Sequence, residues 1–151
     1  MNLRRIILIE SGLIRCFYLE DDREINLRFL CSGSVAVPFS SLAETFIDEH
    51  KTLKSNEYIQ AVSTLTGYSI SVKYLLQQTK YPEFRQLRLE LAARHYLSIE
   101  RRLRMIQNLK AKERYQKFLA WMPEEIVQNM PNHFVASYLG IAPESLSRLK
   151  V

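Results

Sequence analysis

The last twenty residues of the chain, NHFVASYLGIAPESLSRLKV, have the pattern of two short helices joined at Gly140. Glycine readily adopts the left-handed conformation that ends a helix, and Pro143 suits the first position of the next one. Ala142 stands at the N-cap, where a serine or threonine would add about 1 kcal/mol of stability. The pattern predicts a helix-turn-helix; the alternative is an αα-hairpin that merely closes a core. The apolar residues that should pack the two helices together are Val135, Ala136, Leu139, Ile141, Leu146 and Leu149.

The second helix also carries polar side chains that could reach the base edges and phosphates of a DNA major groove. In that groove arginine pairs with guanine and glutamate accepts from cytosine, so we assign Arg148 to a guanine and Glu144 to a cytosine. Ser145 and Ser147 should support these contacts, and Lys150 should bind the phosphate backbone of the DNA. His133 is a candidate phosphate contact, with a merely exposed histidine as the alternative. The predicted DNA-binding residues are therefore Glu144, Ser145, Ser147, Arg148, Lys150 and His133.

The charge distribution supports a nucleic-acid partner for this part of the chain. Residues 81–151 contain twelve Lys/Arg against seven Asp/Glu, whereas residues 1–80 contain nine of each, so the net charge of +5 lies in the second half. A basic surplus beside a DNA-reading motif fits the phosphate contacts that dominate affinity.

A length of 151 residues allows one or two small domains, and no apolar run approaches a membrane span. Cys16 and Cys31 lack metal-ligand spacing, so we expect reduced, buried thiols in a cytoplasmic protein.

Residues 83–108 lack glycine and proline and are rich in helix-forming residues, which predicts one long helix. Apolar residues recur along it at alternating spacings of three and four, as in a heptad seam. Such a seam can bury against a second copy of the chain, or it can pack inside its own chain. We favour a homodimer. The predicted interface residues are Leu89, Ala92, Tyr96, Ile99, Leu103 and Ile106, and a second stripe of Phe84, Leu87 and Leu91 should pack on the preceding domain.

The first half of the chain has the alternation and turn residues of β structure. We predict strands at residues 5–10, 13–19, 24–30, 58–63 and 68–71, a charged turn at 20–23, and short helices at 42–47 and 72–79. Further helices are expected at residues 111–121 and 124–129. In the third strand the alternation places Ile25, Leu27 and Phe29 on an apolar face and Glu24, Asn26 and Arg28 on a polar face.

Motifs for catalysis or for binding metals and nucleotides are not found in the sequence. The three histidines lie far apart without an HExxH or CxxC pattern, and there is no GxSxG, GxxxxGK[ST] or GxGxxG. We therefore expect no enzyme, no metal and no cofactor.

The order of these parts resembles that of the CRP/FNR transcription regulators. The segment SGLIRCFYLEDDREINLRFL is similar to a strand-turn-strand of their β-roll, AKERYQKFL to the first helix of their DNA domain, and HFVASYLGIAPESLSRLK to their wingless reader. The resemblance implies an α+β fold with a partial β-roll at 1–80, a long dimerisation helix at 81–109 and a helix-turn-helix bundle at 110–151. It also implies a dimer that binds palindromic double-stranded DNA, with RNA polymerase as a further candidate partner.

Two departures from the family pattern limit what the resemblance implies. The family's roll begins with strands that have no counterpart ahead of residue 5, so we expect a partial chain or an incomplete roll. Cyclic-nucleotide binders of the family have a Gly-Glu and an Arg-Ser or Arg-Thr in the phosphate pocket, and residues 32–42 and 55–60 supply neither. Because a buried phosphate needs a guanidinium, we expect no response to cAMP. The alternative function is a degenerate family member that acts as a protein-interaction module without binding DNA.

Overall fold

The structure is a computed structural model that describes residues 5–39 and 57–150. Within the described part of its first half the chain forms six strands. They are β1 (Arg5–Ser11), β2 (Ile14–Glu20), β3 (Arg23–Leu30), β4 (Val35–Ala36), β5 (Glu57–Ala61) and β6 (Thr66–Ser71). Two antiparallel three-stranded sheets form the roll, in the orders β4-β1-β6 and β3-β2-β5. The helix predicted at 42–47 lies outside the described residues.

A two-residue turn joins β2 to β3, as the charged segment predicts. Asp21 and Asp22 have φ values of 48° and 58°, and Glu20 pairs with Arg23 across the turn. A tight hairpin turn of this kind needs positive φ at both central positions, which aspartate tolerates better than most residues.

The predicted polar and apolar faces of β3 are wrong, because the strand contains a bulge. The register with β2 shifts between the pairs Cys16–Arg28 and Phe17–Asn26, which leaves Leu27 as the extra residue. One extra residue moves all later side chains to the opposite face. Asn26 therefore shares a face with Phe29, and both Asn26 and Arg28 are buried, at 1% and 7% exposed.

Six helices follow the roll: α1 (Val72–Gln77), α2 (Pro82–Asn108), α3 (Ala111–Trp121), α4 (Glu124–Asn129), α5 (Asn132–Leu139) and α6 (Pro143–Leu149). A short 3₁₀ turn, Gln78–Lys80, separates α1 from α2. Their positions agree with the sequence prediction to within a few residues. Among the described residues, no helix combines the length and apolar character that crossing a bilayer requires.

The largest hydrophobic core is shared by the roll and the C-terminal helices. Phe29 of β3 packs with Phe118 of α3 and Tyr138 of α5, at ring-centroid distances of 6.4 Å and 5.2 Å. Phe84 and Leu91 of α2 pack instead on a second core around Ile6 in the roll, as predicted, whereas Leu87 is 44% exposed. The helix-turn-helix is thus held directly against the sheet that ends in β3.

Candidate nucleic-acid interface

The turn between α5 and α6 has the geometry of a helix-turn-helix. Gly140 adopts the left-handed conformation at φ 64°, ψ 39°, and Ile141 N donates to the carbonyl of Ala136 at 3.1 Å. Ala136 and Leu146 are both 0% exposed, so the two helices meet closely there. Pro143 is in the first turn of α6, as predicted, and Ala142 provides no side-chain hydrogen bond at its N-cap.

The predicted DNA-binding residues lie on the outer side of these two helices. Glu144, Ser147 and Arg148 are exposed on α6, and Ser145 is half-buried. Lys150 is exposed, and its Nζ donates a hydrogen bond to Oδ1 of Asn132 at the start of α5. Glu144 and Arg148, one helical turn apart, therefore share the face of α6 opposite the buried Leu146, whereas the Lys150 ammonium lies beside the start of α5.

His133 is also exposed, in the first turn of α5. Its ring lies 4.0 Å from that of Phe134, centroid to centroid. A side chain at this end of the helix can reach a phosphate beside the groove.

The first helix of the helix-turn-helix, α5, is hydrogen-bonded to the edge of the roll through contacts that the sequence pattern does not predict. The hydroxyl of Ser137 accepts from the backbone N–H of Asn26 at 3.1 Å and donates to the carbonyl of Glu24 at 3.0 Å. Because β3 is an edge strand of its described sheet, these backbone groups have no strand partner on that side, and the Ser137 hydroxyl supplies one. A serine within a helix gives no sequence signal of such a contact.

Arg15 adds a second fastening between the roll and α5. Its guanidinium lies between two aromatic rings, 4.1 Å from the centroid of Phe17 and 3.8 Å from that of Phe134. It donates to Gln60 Oε1 at 2.7 Å and pairs with Glu24 at 2.6 Å. Arg15 is 3% exposed, so this stacked cation is largely shielded from solvent.

The long helix α2 is also bonded to the reader. Arg102 Nε donates to the carbonyl of Tyr138 at 3.1 Å, and its guanidinium carbon lies 5.0 Å from the Tyr138 ring. Burial raises the pKa of the Tyr138 phenol, which therefore stays protonated. Arg114 of α3 donates to carbonyls at the ends of both α2 and α5. The reader is therefore held from two directions, by the roll and by the long helix.

The predicted dimer seam lies open along most of α2. Leu89, Tyr96, Ile99 and Leu103 are 67%, 65%, 50% and 51% exposed, and Ala92 is exposed as well. Ile106 differs, because it packs against the core of its own chain. Five of the six predicted interface residues are thus available for a partner.

Inside the roll, Arg28 of β3 is paired with Glu57 of β5. Both side chains are 7% exposed, and Arg28 Nη2 also donates to the carbonyl of Val37 at 3.1 Å. The sequence predicted that the roll has no guanidinium for a phosphate. The roll does bury the guanidinium of Arg28, but the Glu57 carboxylate already neutralises its charge. Burial raises the pKa of the neighbouring Cys16 thiol to about 12, so this free cysteine stays protonated and unreactive.

Comparison with solved structures identifies proteins of the same fold. FixK2 from Bradyrhizobium japonicum matches 97% of this chain and 73% of its own length, with 17% identity and a TM-score of 0.76. The c-di-GMP responsive global regulator CLP of Xanthomonas campestris matches 96% of this chain and 74% of its own, with 18% identity and a TM-score of 0.65. A transcriptional regulator of the CRP family from Thermus thermophilus matches 97% and 73%, with 18% identity and a TM-score of 0.64.

At these identities the similarity establishes a shared fold over nearly the whole chain. It confirms the predicted fold class and, in fold, the resemblance to CRP/FNR regulators. No protein-family model and no curated protein matches the sequence.

Proposed function

We propose that the chain is a sequence-specific DNA-binding transcription regulator of the CRP/FNR type, which reads a palindromic site as a homodimer. The observation that carries the proposal is the exposed polar face of α6. Glu144, Ser147 and Arg148 are exposed there, whereas Leu146 of the same helix is fully buried in the core. Polar groups presented in this way on the second helix of a helix-turn-helix match the pattern that contacts base edges.

The chemistry of these side chains suggests which contacts they make. Arg148 lies four residues, about one helical turn, beyond Glu144, so both can enter one groove together. A guanidinium donates two hydrogen bonds to guanine O6 and N7, and a carboxylate accepts from cytosine N4. We expect Lys150, whose Nζ bonds to Asn132, to bind a phosphate. We expect Ser145 and Ser147 to support these contacts at bases or phosphates.

Dimerisation through α2 would supply the symmetry that a palindromic site requires. The open seam of Leu89, Ala92, Tyr96, Ile99 and Leu103 lies on a 27-residue helix, long enough to carry two readers side by side. In such a dimer the two recognition helices lie about 34 Å apart, one turn of B-DNA.

Selection from randomised duplexes at low salt, with the full chain, tests the proposal. We expect an enriched palindrome whose half-sites lie one helical turn apart. Arg148→Ala should then lower affinity for that site by about 1–3 kcal/mol and relax the preference at one base pair. Lys150→Ala, its matched control, should weaken binding to all DNA sequences alike. It should also reduce the slope of log affinity against log salt concentration by about one.

A selection that enriches no sequence would overturn the regulator proposal. It would favour the alternative, in which the helix-turn-helix has kept its fold and the chain acts through contacts with proteins alone.

A further inference from the structure

Arg114 bonds to the ends of two helices at once. Its Nη2 donates to the carbonyl of Ile106 at 2.7 Å and its Nε to that of Leu109 at 2.9 Å, both at the C-terminal end of α2. Its Nη1 donates to the carbonyl of Leu139 at 3.0 Å and to that of Gly140 at 3.4 Å, at the C-terminal end of α5. The contacts therefore join the long helix to the turn of the helix-turn-helix.

The arrangement uses a property that is specific to arginine. The last carbonyls of a helix lack partners within the helix and carry its negative partial charge, so a cation is stabilising there. The planar guanidinium has five donors in fixed directions and can serve two helix ends together, which a lysine ammonium on its flexible stem does less well. Arg114 belongs to a third element, α3, so it ties α2 to α5 without being part of either.

We infer that Arg114 is a positioning residue for DNA recognition, which fixes the angle between the long helix and the reader and so sets the half-site spacing that the dimer accepts. This inference rests on the proposed function. The recognition helix α6 begins at Pro143, three residues after Gly140 and close to the bonded turn. A change of angle at that turn therefore displaces the reading face relative to the dimer axis.

Loss of Arg114 should loosen this angle and leave the fold intact. Arg102 still bonds α2 to the Tyr138 carbonyl of α5, and the Ser137 hydroxyl still bonds α5 to the roll. The core beneath α5 and α6 involves Leu139 and Leu146, both 0% exposed, and these residues are unchanged.

The test compares duplexes that carry the selected palindrome with duplexes in which one base pair is added or removed at its centre. The wild-type chain should bind the duplex with the selected spacing about tenfold more tightly than the duplexes with altered spacing. The reason is that one added or removed base pair rotates one half-site by about a tenth of a turn relative to the other. Arg114→Met should reduce this preference to about threefold or less, while its affinity for a single half-site stays within about twofold of the wild type. Arg114→Lys should behave like Arg114→Met, because lysine keeps the charge but lacks the planar guanidinium whose donors bond to two helix ends together.

Arg104→Met is the matched control, because it removes the same charge from an exposed side chain of α2 that pairs with Glu100. It should keep the wild-type spacing preference. Hydrogen exchange in the free protein supplies a measurement without DNA. Amides near Gly140 should exchange faster in Arg114→Met than in Arg104→Met, whereas amides of β2 should exchange at the same rate in both variants.

The outcomes separate the inference from the function on which it rests. A wild-type chain that selects no duplex would overturn both. A wild-type chain with a spacing preference that Arg114→Met retains would overturn the inference alone. Equal loss of affinity for every spacing and for the half-site would also overturn it, because that result marks a residue that only stabilises the fold.

Discussion

Ser137 connects the reader to the roll through a single hydroxyl, and its replacement by alanine measures how firmly the two parts are joined. The hydroxyl accepts from the N–H of Asn26 and donates to the carbonyl of Glu24. Asn26 is 1% exposed, so water has little access to its backbone once the hydroxyl is removed. Ser137→Ala should therefore leave a buried donor without a partner.

The expected loss can be estimated from these two bonds. A buried donor left unsatisfied costs about 1–3 kcal/mol. Glu24 is exposed, so its carbonyl can bond to water, and the second bond contributes little. Alanine is a better helix former than serine by up to about 0.7 kcal/mol, which offsets part of the loss. We expect Ser137→Ala to lower the free energy of unfolding by about 1–2 kcal/mol.

Ser147→Ala provides the matched control, because Ser147 is also helical but exposed, and the gain in helix propensity cancels in the comparison. Urea unfolding followed by circular dichroism, at one fixed protein concentration, gives both free energies. Ser147→Ala should stay within about 0.5 kcal/mol of the wild type. Equal stability of the two variants would refute the reasoning, because Ser137 would then not hold α5 on the edge of β3.

Three further predictions concern the dimer, the pH dependence and the roll. Ile99→Glu should convert the dimer into a monomer in analytical ultracentrifugation, since burying an unpaired charge costs several kcal/mol; a wild-type chain that is monomeric at tens of micromolar, about the range of weak association, would contradict it. Burial and the nearby Arg28 lower the pKa of His95 to about 4, from 6.5. Between those values the unfolded chain binds the proton more strongly, so stability should fall as the pH decreases from about 6.5 to 4, and His95→Gln should flatten that part of the unfolding curve. Isothermal titration with cAMP or cGMP should show no binding, because Glu57 already neutralises the guanidinium in the roll; a micromolar dissociation constant, about −8 kcal/mol, would refute this.

The helices and the reader turn could be predicted from the sequence because their signals are local. Gly140 and Pro143 mark the turn through their own backbone preferences, and the spacing of apolar residues identifies the buried faces of α5 and α6. The absence of glycine and proline over residues 83–108 likewise gives the length of α2 to within one residue.

The faces of β3 could not be predicted, because a bulge depends on the pairing of two strands. Leu27 is no different in sequence from a residue in regular alternation, yet as the extra residue it moves Asn26 to the face of Phe29. The burial of Arg15 and Arg28 could not be predicted for a related reason. A buried arginine is tolerated only with partners, and those partners, Gln60 and Glu57, are distant in sequence.

In the proposed function, stability and DNA recognition depend on different residues of the helix-turn-helix. Within residues 5–39 and 57–150, the hydrogen bonds from other elements to the helix-turn-helix end on α5 or on its turn. They involve the Ser137 hydroxyl and the carbonyls of Tyr138, Leu139 and Gly140. The helix α6 contributes mainly the buried Leu146 to the core. Its outward side chains therefore carry little of the folding free energy, and substitutions of Arg148 should change DNA affinity while leaving the free energy of unfolding within about 0.5 kcal/mol. Under the proposed function, substitutions on the outer face of α6 could therefore change the DNA sequence recognised without removing the contacts that hold the helix-turn-helix in place.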